Sequence, residues 1–175
     1  MPLSRDILIG ETALQARVDA IARAVAADTV EGGELSVIGL MDGAMMFCAD
    51  LVRRLPMPVR LALVPVRSID RGGDPGSVAI PEDFPVAGAD VLIVEDILDT
   101  GRTLAALKAR LEAMGPARIR IAVLLDKPAR RAVPVAADYV GFQMPDRWIV
   151  GYGLDVDGLY RNLPYITYVE SPSEE

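Results

Sequence analysis

The run Val91-Leu92-Ile93-Val94-Glu95-Asp96-Ile97-Leu98-Asp99-Thr100-Gly101-Arg102-Thr103 constrains this chain more than any other. Four apolar residues give way to two acids, a third acid follows, and a Thr-Gly turn leads into a helical pattern. An apolar strand feeding a helix through such a turn is an α/β building block. Acids at the end of a buried strand do little for stability, because burying an ionised carboxylate is costly unless it is paired. A bare acidic pair would only mark where the strand, expected over Val91–Val94, meets solvent. Here the turn supplies more. Gly101 tolerates backbone angles that other residues avoid. The first-turn N–H groups and the hydroxyls of Thr100 and Thr103 suit a phosphate dianion. Glu95 and Asp96 could accept hydrogen bonds from neighbouring sugar hydroxyls. A ligand with both a sugar and a phosphate matches the combination. The better-known phosphate loops, G-x-x-x-x-G-K-[ST] and G-x-G-x-x-G, are absent.

The rest of the chain repeats the α/β pattern. Leu14, Val18, Ile21 and Val25 recur at helical spacing over 11–27, and Met45, Cys48, Val52 and Leu55 do so over 44–55. Strands are expected at 35–40, 59–66, 119–125, 139–142, 148–152 and 165–169. A helix through Leu104, Leu107, Leu111 and Met114 stops at Gly115-Pro116. Residues 67–84 carry Gly72, Gly73, Asp74, Pro75, Gly76 and Pro81 and read as a flexible loop, either a functional lid or plain disorder. The expected fold is therefore α/β, with a mostly parallel central sheet flanked by helices. In such sheets ligands bind beyond the carboxyl ends of the strands. The turns after Leu40, Val94 and Leu125 should open on one side.

Composition removes several functions. The 175 residues suit one domain spanning 1–175. No apolar run approaches the ~18 residues that would span a bilayer. The N-terminus lacks the pattern of a signal peptide. A single cysteine, Cys48, fits a reducing cytoplasm and excludes an intrachain disulfide. With no histidine, a zinc site or a Cys–His nucleophile is disfavoured. A net charge of −7 argues against general nucleic-acid binding.

The 91–103 run closely resembles the phosphoribosyl pyrophosphate (PRPP) signature of type I phosphoribosyltransferases. Further matches narrow the resemblance to the hypoxanthine-guanine branch. They are Gly39-Leu40-Met41-Asp42-Gly43, Leu124-Leu125-Asp126-Lys127-Pro128, Pro145-Asp146-Arg147-Trp148-Ile149-Val150-Gly151-Tyr152-Gly153-Leu154-Asp155 and Tyr160-Arg161-Asn162-Leu163-Pro164. They run in the family's order across nearly the whole chain.

The resemblance implies a fold with a small purine-binding hood from the C-terminal region, residues 139–169. It implies purine salvage, with hypoxanthine or guanine taking the phosphoribosyl group from PRPP. A xanthine-preferring enzyme, or a non-catalytic nucleotide-sensing regulator on the same fold, is the alternative. By resemblance, Glu95 and Asp96 hold the ribose hydroxyls, and residues Asp99, Thr100, Gly101, Arg102 and Thr103 hold the 5′-phosphate. Asp99 takes the proton at purine N7; a helix cap is the plainer role for it. Lys127 contacts purine O6, or is an ordinary loop lysine. Trp148 stacks on the ring, or packs in the core, and Ile149 reads the base edge through its backbone. Met41, Asp42 and Gly43 face pyrophosphate with Arg161, which could instead be a structural ion-pair partner. Asp155 sits beside the purine and, with Glu95 and Asp96, meets Mg²⁺, the implied cofactor. A homodimer or homotetramer is implied, with neither nucleic acid nor membrane as partner. Two positions depart from the family pattern. Asp42 stands where Lys or Arg is common, and Ser68-Ile69 stands where the mobile loop usually has Ser-Tyr.

Overall fold

The structure is a computed structural model that describes residues 3–66 and 80–169. Residues 67–79 of the expected loop, with Ser68 and Ile69, lie outside the described residues.

Five parallel strands in the order β3-β2-β4-β5-β6 form the main sheet: β2 (Leu35–Met41), β3 (Val59–Pro65), β4 (Asp90–Leu98), β5 (Arg118–Asp126) and β6 (Tyr139–Gln143). Its inner strands are near-continuous apolar runs because both faces are covered. Successive residues serve opposite sides. Leu92 and Val94 join the core under α1 (Glu11–Asp28) and α2 (Met45–Val52), while Val91 and Ile93 join the core under α3 (Arg102–Glu112). Leu14, Val18, Ile21 and Val25, the stripe expected of the first helix, are its buried face. Among the described residues no helix is long and apolar enough to cross a membrane.

A second sheet of three antiparallel strands, in the order β1-β8-β7, lies apart from the first: β1 (Leu3–Ile9), β8 (Ile166–Val169) and β7 (Ile149–Val150). Three expectations change here. The small sheet recruits an N-terminal strand, β1, whose Ser4-Arg5-Asp6 start hides its pairing with β8. Residues 139–143, expected in the hood, are instead the edge strand of the main sheet. The strand expected over 148–152 shrinks to two residues. Gly151 and Gly153 hold φ of 102° and 101°, and the chain folds into a tight turn there.

The strand at the centre of the signature is also longer than expected. It runs through Glu95 and Asp96 to Leu98, because β5 keeps pairing with it as far as Leu98↔Asp126. On its other side β2 pairs only up to Gly39↔Val94. The acids thus stand inside the strand, at the level where one neighbour has turned away.

Candidate active site

The carboxyl ends of β2, β4 and β5 open on one cavity of about 810 Å³. It is lined by Met41, Asp42 and Gly43 after β2, by Glu95 to Gly101 and Thr103 from β4 onward, and by Lys127 and Arg130 after β5. Asp146 to Ile149, Leu154, Asp155 and Arg161 close it from the small sheet. Every residue expected to face a ligand lines this space except Arg102, which is exposed outside it.

At one end the backbone does most of the building. Gly101 adopts φ 82° as the N-cap of α3, and a Cβ there would lie 2.4 Å from Val135 Cγ1. The left-handed turn and the close approach both need glycine. Helix α3 starts at Arg102 with no side-chain cap, so Asp99 is not its cap and the plainer role for that residue falls away. The 99–101 turn is braced from the segment after β5. The Arg131 guanidinium donates to the Asp99 carbonyl and pairs with the Asp126 carboxylate, and Ala132 N donates to Thr100 O at 3.0 Å.

Gly43 is the hinge of the acidic wall. A Cβ there would fall 1.7 Å from Asp96 Oδ2, so the missing side chain is what lets the carboxylate lie against the Met41–Gly43 turn. The Met41–Asp42 peptide bond is cis. Gly153 repeats the device, since its Cβ would meet Gly43 O at 2.1 Å. Two turns and one acid therefore meet where side chains are absent.

Burial pushes the Glu95 carboxyl well above the usual carboxylate range, and the charge of Asp96 adds to the effect. Asp96 is also pushed up by burial, against the pull of a hydrogen bond with Glu95 and of the Arg161 charge. Arg161 links the remaining acids. Its Nη1 donates to Gly153 O at 2.6 Å, and its Nη2 lies 3.0 Å from Asp155 Oδ1 and 3.9 Å from Asp42 Oδ2. Asp42 itself is 72% exposed, so its carboxylate faces water and not the buried wall.

The other end is built from side chains. Lys127 is only 7% exposed, and burial pulls its ammonium below the ordinary lysine range, with the Asp99 charge opposing. Its Nζ donates to Arg147 O at 2.7 Å. Trp148 is 61% exposed, which removes core packing as its role. Its segment is well anchored: Val169 N donates to Trp148 O, and the Arg147 guanidinium sits 4.9 Å from the Tyr168 ring centre. Behind it, Tyr152 OH donates to Asp50 Oδ2 at 2.6 Å and pins the Gly-Tyr-Gly turn to α2. Asp99 Oδ1 lies 3.0 Å from Arg130 Nε, a partner the sequence did not suggest. Arg130 ends a 3₁₀ turn, Pro128–Arg130, that Arg131 caps, and neither carries a pattern of its own, so only the folded neighbourhood reveals them. Cys48 is buried, and burial pushes its thiol up to about 12, so it has no nucleophilic part here.

A parallel sheet whose central strand carries an acid pair in its last turn of pairing and then opens through a glycine turn into a helix defines an α/β protein with its ligand site at the carboxyl ends of the strands. Comparison with known proteins makes the class specific. A phosphoribosyl transferase domain matches residues 9–157. Hypoxanthine phosphoribosyltransferase of Haemophilus influenzae is 40% identical over 166 residues, 92% of this chain and 93% of that protein. A bifunctional TilS/HprT protein of Listeria innocua is 41% identical over 163 residues, and this chain spans 25% of its length. Among solved structures, a hypoxanthine-guanine phosphoribosyltransferase of Bacillus anthracis superposes with a TM-score of 0.86 at 39% identity, over 97% of this chain and 100% of that one. The chain belongs to the phosphoribosyltransferase family.

Proposed function

We propose that this chain is a purine-salvage enzyme that moves the 5-phosphoribosyl group of PRPP to hypoxanthine or guanine, giving IMP or GMP and pyrophosphate. One observation carries the reading: a single cavity has the acid pair and the amide turn at one end and Lys127, Asp99 and Trp148 at the other. A 6-oxopurine presents O6 and N7 side by side. In the free base with its proton on N7, reading that edge needs a donor for O6 next to an acceptor for N7–H. Lys127 and Asp99 are close enough for the charge of one to act on the other. An ammonium has three donors, so Lys127 keeps its bond to Arg147 O and offers another to O6. Adenine, with an amino group at that position, meets donor with donor and is rejected.

In the proposed reaction Glu95 and Asp96 accept from the ribose hydroxyls, and the Asp99–Thr103 turn holds the 5′-phosphate. Trp148 holds the purine by one face. A ring nitrogen of the base bonds to C1 of the sugar as the C1–oxygen bond to pyrophosphate breaks. The proton the base loses passes to Asp99 from N7. Arg161 and the Met41–Gly43 turn face the leaving group.

The acidic donors also fit Mg²⁺. They are oxygens throughout, and the buried pair Glu95–Asp96 is driven toward protonation in a way a divalent cation would reverse. Among the described residues no three such groups are gathered to hold an ion alone. Mg²⁺ takes oxygen ligands and keeps several waters, so Glu95, Asp96 and Asp155 would supply only part of its shell, with substrate oxygens and water completing it. When bound, Mg²⁺ offsets charge on the phosphates. A homodimer or homotetramer and a cytoplasmic setting belong to the same reading, by analogy with the family and from the single cysteine.

A panel of hypoxanthine, guanine, xanthine and adenine with PRPP and Mg²⁺, followed by pyrophosphate release, tests the proposal. Release with hypoxanthine or guanine is expected. Release with xanthine alone would favour the xanthine reading, and nucleotide binding with no release for any base would favour a sensor.

A further inference from the structure

Three cations follow one another at the purine end, and two of them have evident tasks. Lys127 lines the cavity while holding Arg147 O. Arg131 ties Asp126 to the backbone of Asp99. Arg130 does neither. Its Nε lies 3.0 Å from Asp99 Oδ1, and its Nη1 lies 3.4 Å from Asp146 Oδ2. One guanidinium thus bridges two carboxylates that belong to different elements. Asp99 is on the loop after β4, and Asp146 is two residues before Trp148.

The bridge adds little to stability. Arg130, Asp99 and Asp146 are all well exposed, and exposed ion pairs are screened and entropically costly. Its consequence is geometric. Asp99 stands on a partly exposed loop, where a free carboxylate would sample several rotamers. Catalysis by a general base depends on the acceptor staying within hydrogen-bond reach of its proton. Arg130 reaches the Asp99 carboxylate itself, whereas Arg131 donates to the Asp99 carbonyl. The fork also suits the task, because two nitrogens of a rigid plane can address two acceptors at a set angle and a single ammonium cannot.

We propose that Arg130 is a positioning residue: by spanning Asp99 and Asp146 it sets the distance between the proton acceptor and the ring-stacking segment of Trp148. The inference rests on the proposed role of Asp99. Arg130 need not touch the substrate. It acts by holding the acceptor and the stacking platform in one frame when the purine enters between them.

Single-turnover formation of nucleotide, with base and PRPP varied separately, tests it in Arg130→Gln, Arg130→Lys, Asp146→Asn, Asp99→Asn and the Arg130→Gln/Asp99→Asn double variant. Arg130→Gln should slow the chemical step about tenfold, the scale of a modest misplacement of a reacting group, and leave the KM for PRPP within about twofold of the original. Arg130→Lys should recover only part of the rate. Asp146→Asn should raise the KM for the base more than it lowers the rate. On the Asp99→Asn background, Arg130→Gln should cost nothing more, because the group it positions is gone. A full tenfold loss on that background, or an unchanged or faster rate in Arg130→Gln alone, would overturn the proposal. If Arg130→Gln does not fold, Asp146→Asn decides: an unchanged KM for the base overturns it. Full turnover in Asp99→Asn would instead remove Asp99 as the acceptor, and the role of Arg130 with it.

Discussion

The two ends of the cavity are made in opposite ways. The end proposed for the sugar-phosphate comes from one stretch, residues 95–103, and from glycines that bring backbones together at Gly43, Gly101 and Gly153. The end proposed for the purine is assembled from the loop at Asp99, the turn after β5 and the segment before β7, and it presents side chains. A backbone site fails through changes of shape, whereas a side-chain site fails through loss of a particular group. Substitutions at the two ends should therefore separate the apparent affinity for PRPP from that for the base.

The largest expected effect is at the acceptor. Asp99→Asn should lower the rate of nucleotide formation by roughly 10²–10⁴-fold, the usual contribution of a positioned base, with the KM for PRPP little changed. An unaltered rate in stopped-flow or quench measurements would detach Asp99 from the chemistry. Next, Gly101→Val should raise the KM for PRPP by about a hundredfold through misplacement of the phosphate turn. The new Cβ would press into Val135, and φ 82° is one that a β-branched residue resists. Base binding measured without PRPP should survive, and its loss would mean that the two ends are not separable.

Trp148→Ala should weaken the base alone. Stacking on an aromatic ring is worth about 1–3 kcal/mol, so the KM for the base should rise roughly five- to 150-fold while that for PRPP holds. The smallest effect is a displaced pH profile. Burial favours the neutral form of Lys127, so its ammonium is lost at a lower pH than in an ordinary lysine. The alkaline limb of kcat/KM for the base should accordingly fall early, and Lys127→Arg, always charged, should move that limb upward. An unmoved limb would show that another group governs it.

The same contrast explains what was legible in the sequence. The helices and inner strands could be placed because each obeys one period: the Leu14–Val25 stripe is all buried, and β4 is apolar from Val91 to Val94. The glycine turn into α3 was legible because its parts are adjacent in the chain. Strand β1 was not, since Ser4, Arg5 and Asp6 interrupt its pattern and its register is supplied by β8, over 150 residues away. The length of β4 was missed because acids read as a strand end, while β5 goes on pairing beyond them. Lys127 and Trp148 were found by resemblance, not by period. Arg130 could not be found, because its meaning depends on Asp99 and Asp146 meeting across two loops. Backbone sites leave local traces in a sequence; assembled side-chain sites leave almost none.

A crystal structure of the chain with IMP measures the central claim directly, since the nucleotide carries both halves of the ligand at once. The expected complex has the phosphate on the Asp99–Thr103 amides and the ring stacked on Trp148, with O6 about 3 Å from Lys127 Nζ and N7 about 3 Å from the Asp99 carboxyl, which donates to it in its protonated form. A phosphate bound away from that turn, or a ring lying outside the space between Lys127 and Trp148, would contradict it.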